Sequence, residues 1–125
     1  MKKGFTLLEL LIVIIIIGLL AAIGIVQYGR AVVNAKNAEA RTTLGEIRKA
    51  EMGYYSLNGS YTATIANLAA IDLDSDGTAD LGFSPPTGGS YTYTTTATYG
   101  QALKTGTGGE SNWRIEWATG RVYSY

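Results

Sequence analysis

The sequence predicts an α+β fold: a long N-terminal helix, membrane-spanning in its first half, packed on a small C-terminal antiparallel β-sheet. Three observations predict it. No residue from Leu10 to Gly29 is charged, so that stretch is apolar on all sides, as a bilayer-crossing helix must be. Beyond it, Leu44, Ile47, Ala50, Tyr54 and Leu57 recur at spacings of three and four, the period of one helix face. Near the C-terminus, Tyr91, Tyr93, Thr95 and Ala97, and then Trp113, Ile115 and Trp117, alternate with other residues, the two-residue period of a half-exposed strand.

Taken in order, residues 5–55 read as one helix. Residues 5–29 form its apolar half and residues 30–57 its amphipathic half. On the latter, Lys36, Glu39, Arg41, Glu46, Arg48, Lys49 and Glu51 are expected on the faces away from the apolar stripe. About fifty helical residues would span roughly 75 Å, more than a small domain needs, so the protruding part is expected to pack against neighbours. Gly18, Gly24 and Gly29 interrupt it and would permit close helix packing. Asn58-Gly59 is a strong turn dipeptide and should end it.

Residues 58–125 form the head. Thr64 to Ala70 reads as a short second helix or a loop. Residues 72–90 are turn-rich, and Pro85-Pro86 excludes a central strand there. Strands are expected at about 90–98, 113–117 and 121–125, the last two joined by a tight turn at Ala118-Thr119-Gly120. Gly100 to Asn112 reads as an exposed Gly/Thr-rich loop.

Composition narrows the function. The chain has 125 residues, no cysteine and no histidine. No disulfide can stabilise the small head, and the usual nucleophile–base pairs and transition-metal sites are missing. Glu110 and Glu116 have no evident catalytic partner, so the chain reads as no enzyme. Ten basic side chains balance ten acidic ones, and no basic patch argues for direct nucleic-acid binding.

The N-terminus carries the sharpest signal. Lys2-Lys3-Gly4 precedes Phe5-Thr6-Leu7-Leu8-Glu9 and then the apolar run. A carboxylate at the edge of such a run needs a partner in a bilayer. The leader is too short for an ordinary secretory signal. These residues, with Leu10-Leu11-Ile12-Val13-Ile14, Ile17-Gly18-Leu19-Leu20-Ala21-Ala22-Ile23 and Gln27-Tyr28, resemble the type III signal of type IV prepilins over about the first quarter of the chain. The resemblance implies residues 1–4 as a leader, cleavage between Gly4 and Phe5 by a prepilin peptidase, and N-methylation of Phe5. It also implies an inner-membrane assembly platform and a homopolymer of pilin subunits. The subunit would sit in the bacterial inner membrane, N-terminus cytoplasmic, before entering an extracellular filament. Glu9 would set register by pairing with the Phe5 amine, its own or a neighbour's. Many pilins carry a C-terminal disulfide loop, which this chain cannot form, and a proline where it has Val26.

Two other readings use the same features. A major pseudopilin of a type II secretion system would form a periplasmic pseudopilus. A membrane-anchored binding module would never polymerise. All four aspartates lie in Asp72-Leu73-Asp74-Ser75-Asp76-Gly77-Thr78-Ala79-Asp80. Alternating carboxylates with a glycine after the third resemble the first half of an EF-hand calcium loop. Asp72, Asp74, Asp76 and Asp80 are the candidate ligands, the Thr78 carbonyl another, and Ca²⁺ the one cofactor considered. The distal Glu of such a loop is missing, its place held by Phe83. The alternative is a solvated acidic turn. The nine tyrosines read as packing rather than as an electron relay, and Asn58-Gly59-Ser60 as a turn rather than a glycosylation site.

Overall fold

A computed structural model describes residues 4–125. Lys2 and Lys3 of the expected leader lie outside the described residues. The chain falls into two units, Met1–Asn34 and Ala35–Tyr125. Helix α1, Leu7–Asn58, runs without a break through both. Gly18, Gly24, Val26 and Gly29 all lie inside it.

From Leu7 onward the first unit is helix. Its apolar side chains are exposed: Leu19, Leu20 and Ile23 each show 64–65% of their surface. Among the described residues α1 is the one helix long and apolar enough to cross a membrane. Among the described residues none covers these side chains, and such an apolar surface is unfavourable in water.

In the second unit the rest of α1 packs on a four-stranded antiparallel meander, β1 Tyr91–Thr95, β2 Tyr99–Lys104, β3 Trp113–Glu116 and β4 Val122–Ser124, in the order β1-β2-β3-β4. Tyr93 faces Ala102, Gln101 faces Arg114, and Ile115 faces Val122. Ala40, Leu44, Ile47 and Ala50 of α1 meet Tyr91, Tyr93, Ala102, Ile115 and Trp117, with Leu68, Ile71 and Phe83 closing the core. Two positions on the helix differ from the sequence pattern. Leu57 is exposed, because α1 reaches its end there, and Glu51, expected on a polar face, is fully buried.

The helix ends at Asn58. Gly59 follows with φ +71°, the left-handed conformation that glycine adopts without strain, and its N–H donates to the Tyr55 carbonyl at 2.8 Å. Residues Ile65–Leu68 form one 3-10 turn.

The segment read as a loop from Gly100 to Asn112 begins instead as strand β2. Its burial alternates, with Gly100 and Ala102 turned inward. A Cβ at Gly100 would collide with the Trp117 indole. The glycine that argued for a loop is what lets a strand pass beneath a tryptophan.

Candidate functional site

Two places carry the candidate residues. The first is the start of α1. Glu9 lies in its first turn. The Thr6 N–H donates to Glu9 Oε2 at 2.9 Å and the Thr6 hydroxyl to the same oxygen at 2.8 Å, while the Glu9 N–H donates back to Thr6 Oγ1 at 3.2 Å. This reciprocal pattern is a capping box, which satisfies amides that a helix start leaves without partners. Its signature, Thr-x-x-Glu, stands in the sequence, and sequence reasoning passed over it for the pairing role of Glu9. Phe5 is 83% exposed. Its nitrogen is still an amide bonded to Gly4, so the amine expected to meet Glu9 arises only on cleavage. Until then Thr6 occupies the carboxylate.

The second place is the aspartate loop. Its ends are pinned by a bridge between Ile71 and Leu81, with the Ile71 N–H donating to the Leu81 carbonyl at 2.7 Å. Inside it, Asp72 Oδ2 accepts from the Gly77 N–H at 2.8 Å, Asp74 Oδ1 from the Asp76 N–H at 3.2 Å, and Asp80 Oδ2 from the Leu73 N–H at 2.8 Å. Gly77, at φ +91°, makes the sharp turn that brings its amide round. Oxygens of Asp72, Asp74 and Asp80 lie within 4.8 Å of one another. Asp76 is not among them: its Oδ1 accepts from both the N–H and the hydroxyl of Thr78. Of the four expected ligands, Asp72, Asp74 and Asp80 are the ones brought together. Phe83, at the position of the missing distal Glu, is buried in the core.

Hydrogen-bond donors favour the charged form of two of these carboxylates, Asp72 and Asp76. The Gly77 N–H pulls Asp72 below the usual carboxylate range against a partial desolvation. The Thr78 hydroxyl, followed by its N–H, lowers Asp76. Asp72 Oδ1 is shielded from solvent and has no hydrogen-bond partner.

A clasp that sequence reasoning missed joins α1 to the segment between β2 and β3. Lys36 Nζ donates to Glu110 Oε1 at 2.6 Å, and that bond lowers Glu110 below its ordinary range. Beside it, Asn37 Oδ1 accepts from Tyr91 Oη at 2.9 Å, the Ser111 N–H at 3.1 Å and Trp113 Nε1 at 3.2 Å. No local pattern marks either residue, since the partners lie 54 to 76 positions away.

The model of the prokaryotic N-terminal methylation motif matches residues 1–25. The type IV major pilin protein PilA of Myxococcus xanthus is 35% identical over 99 residues, 79% of this chain and 39% of that protein. The chain thus resembles type IV pilins over 79% of its length, and its first 25 residues carry the methylation motif. The apolar N-terminal half of α1 fits the membrane anchor of such a pilin. Similar relatives include the fimbrial protein EcpC of Eikenella corrodens, 45% identical over 50% of this chain and 40% of its own length. The type IV wide pilus major component PilA4 of Thermus thermophilus is 41% identical over 58% of this chain and 56% of its own length. The chain spans about two-fifths of the length of the first curated relatives it matches. No solved structure matches it.

Proposed function

We propose that this chain is a major subunit of a type IV pilus. A membrane peptidase cuts between Gly4 and Phe5, the Phe5 amine is methylated, and an inner-membrane platform assembles the subunits into an extracellular homopolymer. The carrying observation is the joint one: the methylation motif over residues 1–25 opens a helix whose apolar half is exposed on all sides in its own chain. Packing those halves together in a fibre stabilises it by about 25 cal/mol per Å² of apolar surface kept from water. The names of the relatives favour a pilus over a pseudopilus. Within this reading Glu9 exchanges its Thr6 contacts for the new Phe5 amine during assembly.

Two measurements test it. Electron microscopy of sheared cell-surface material should show filaments that contain this chain. Mass spectrometry of that material should find methylated Phe5 at the N-terminus. A chain that starts at Met1 and stays monomeric in the membrane would leave the anchored binding module as the better reading.

The aspartate loop is proposed as a calcium site of the head, held by Asp72, Asp74 and Asp80. The convergence of three carboxylates and the unpartnered, shielded Asp72 Oδ1 support it, since a cation would relieve both the repulsion and the orphaned oxygen.

A further inference from the structure

Glu51 is the one fully buried acidic side chain among the described residues. Its Oε2 accepts from the Thr62 N–H at 2.9 Å, and its Oε1 is out of water with no partner. Thr62 passes the connection on: its Oγ1 accepts from the Thr64 N–H at 3.1 Å and from Asn67 Nδ2 at 2.9 Å. One carboxyl thus ties the end of α1 to segment 59–64 and to the 3-10 turn Ile65–Leu68.

Among the described residues no cation pairs with it. On its own helix face stand Arg48, whose Nε donates to the Trp117 carbonyl at 3.2 Å, and the neutral Tyr54 and Tyr55. Segment 59–64 offers Tyr61, which stacks on Tyr55 at 4.7 Å. The 3-10 turn has no titratable group. The loop packed nearby over Gly53 carries only the acidic Asp72, Asp74, Asp76 and Asp80, and the Trp117 turn carries Glu116 and Arg121. Among the described residues the ion pair formed is Lys36–Glu110. A buried carboxylate with one hydrogen bond and no counter-ion costs more than a neutral carboxyl with one unpartnered oxygen. We propose that Glu51 is a proton-operated lock between the end of α1 and segment 59–64, closed while its carboxyl is neutral and released when it ionises.

The lock works against the rest of the head. Burial pushes the Glu51 carboxyl up, opposed in part by the Thr62 amide. Its contribution is therefore full below the unfolded value, is lost as pH rises through the folded one, and stays lost above it. Glu110, Asp72 and Asp76 are shifted down, so their contributions fade as pH falls. In global unfolding, therefore, only a difference between variants isolates Glu51, whereas cleavage within segment 59–64 reports on the lock locally.

The test follows unfolding of the full chain in detergent micelles from about pH 4 to about pH 9, for wild type and Glu51→Gln. Gln keeps an acceptor for Thr62 and cannot ionise. The variant should gain on wild type as pH rises, the ratio of folding constants changing by up to about tenfold per pH unit between the unfolded and folded values. A ratio independent of pH would overturn the lock. Limited proteolysis of the wild type is the second measurement, and it also serves if Glu51→Gln does not fold. Cleavage between Gly59 and Thr64 should accelerate with pH relative to a free peptide of the same segment, and an unchanged ratio would refute the proposal.

Discussion

Asn37 shows how much one uncharged side chain can carry. Its single carbonyl oxygen takes donors from β1, from the segment before β3 and from the Trp113 indole. Removing it strands three polar groups in a partly buried junction. Each buried donor left without a partner costs about 1–3 kcal/mol, although relaxation and water will recover some of it. Asn37→Ala should therefore lower the unfolding free energy by about 2–4 kcal/mol, while Asn37→Asp, which keeps an acceptor, should lose less. Denaturant unfolding of the two variants checks the order, and equal losses would mean that the carbonyl is not what matters. Gly100 is the steric counterpart. Gly100→Ala places a methyl against Trp117, which is 1% exposed and held by a 2.8 Å bond from its Nε1 to the Thr96 carbonyl. Overpacking of this kind costs about 1–3 kcal/mol, and thermal unfolding should show it. An unchanged melting temperature would mean that the indole moves freely.

At the scale of an element, the aspartate loop is the clearest case. The Ile71–Leu81 bridge closes it, and backbone amides already take one oxygen from each aspartate. Asp72, Asp74 and Asp80 each bring one carboxylate oxygen within 4.8 Å of the others, the set proposed to meet a cation. Calcium bound only by the folded head should stabilise it by about 2.7 kcal/mol at a hundredfold excess over Kd. The melting temperature of the full chain in detergent should rise with calcium and fall back with chelator. Asp74→Ala should abolish the rise, whereas Asp76→Ala should leave most of it, because Asp76 lies outside the group of three converging carboxylates. Identical curves with calcium and with chelator would make the loop an acidic turn and nothing more.

For the whole molecule, the division of labour runs along α1. Its amphipathic part belongs to the head's core, and its apolar part is exposed among the described residues. That part gains nothing from folding alone and has value in lipid or among other copies. Among the described residues Glu9 is the one charge in this apolar part, and the capping box gives its carboxylate two donors. Glu9→Leu should leave a membrane-inserted, processed chain that assembles few filaments. Immunoblots of membranes and electron microscopy of sheared material separate these two outcomes. Normal piliation of that variant would show that no charge pairing sets the register.

The sequence by itself determined whatever depends on neighbours along the chain. The uncharged run, the methylation motif, the Asn58-Gly59 stop and the Tyr/Thr alternation are short-range patterns, and each acts through local hydrogen bonding or one-dimensional burial. The capping box at Thr6 and Glu9 was legible too. The tertiary structure alone decided whatever depends on residues far apart. Gly100 looks like loop material until Trp117 occupies its missing side chain's place. Glu51 looks like a surface acid until Thr62 and the 3-10 turn fold over it. Asn37 and Lys36 gain their partners only when the sheet returns to the helix. Asp76 leaves the acidic set because Thr78 lies closer to hand, a competition between local hydrogen bonds that spacing does not resolve.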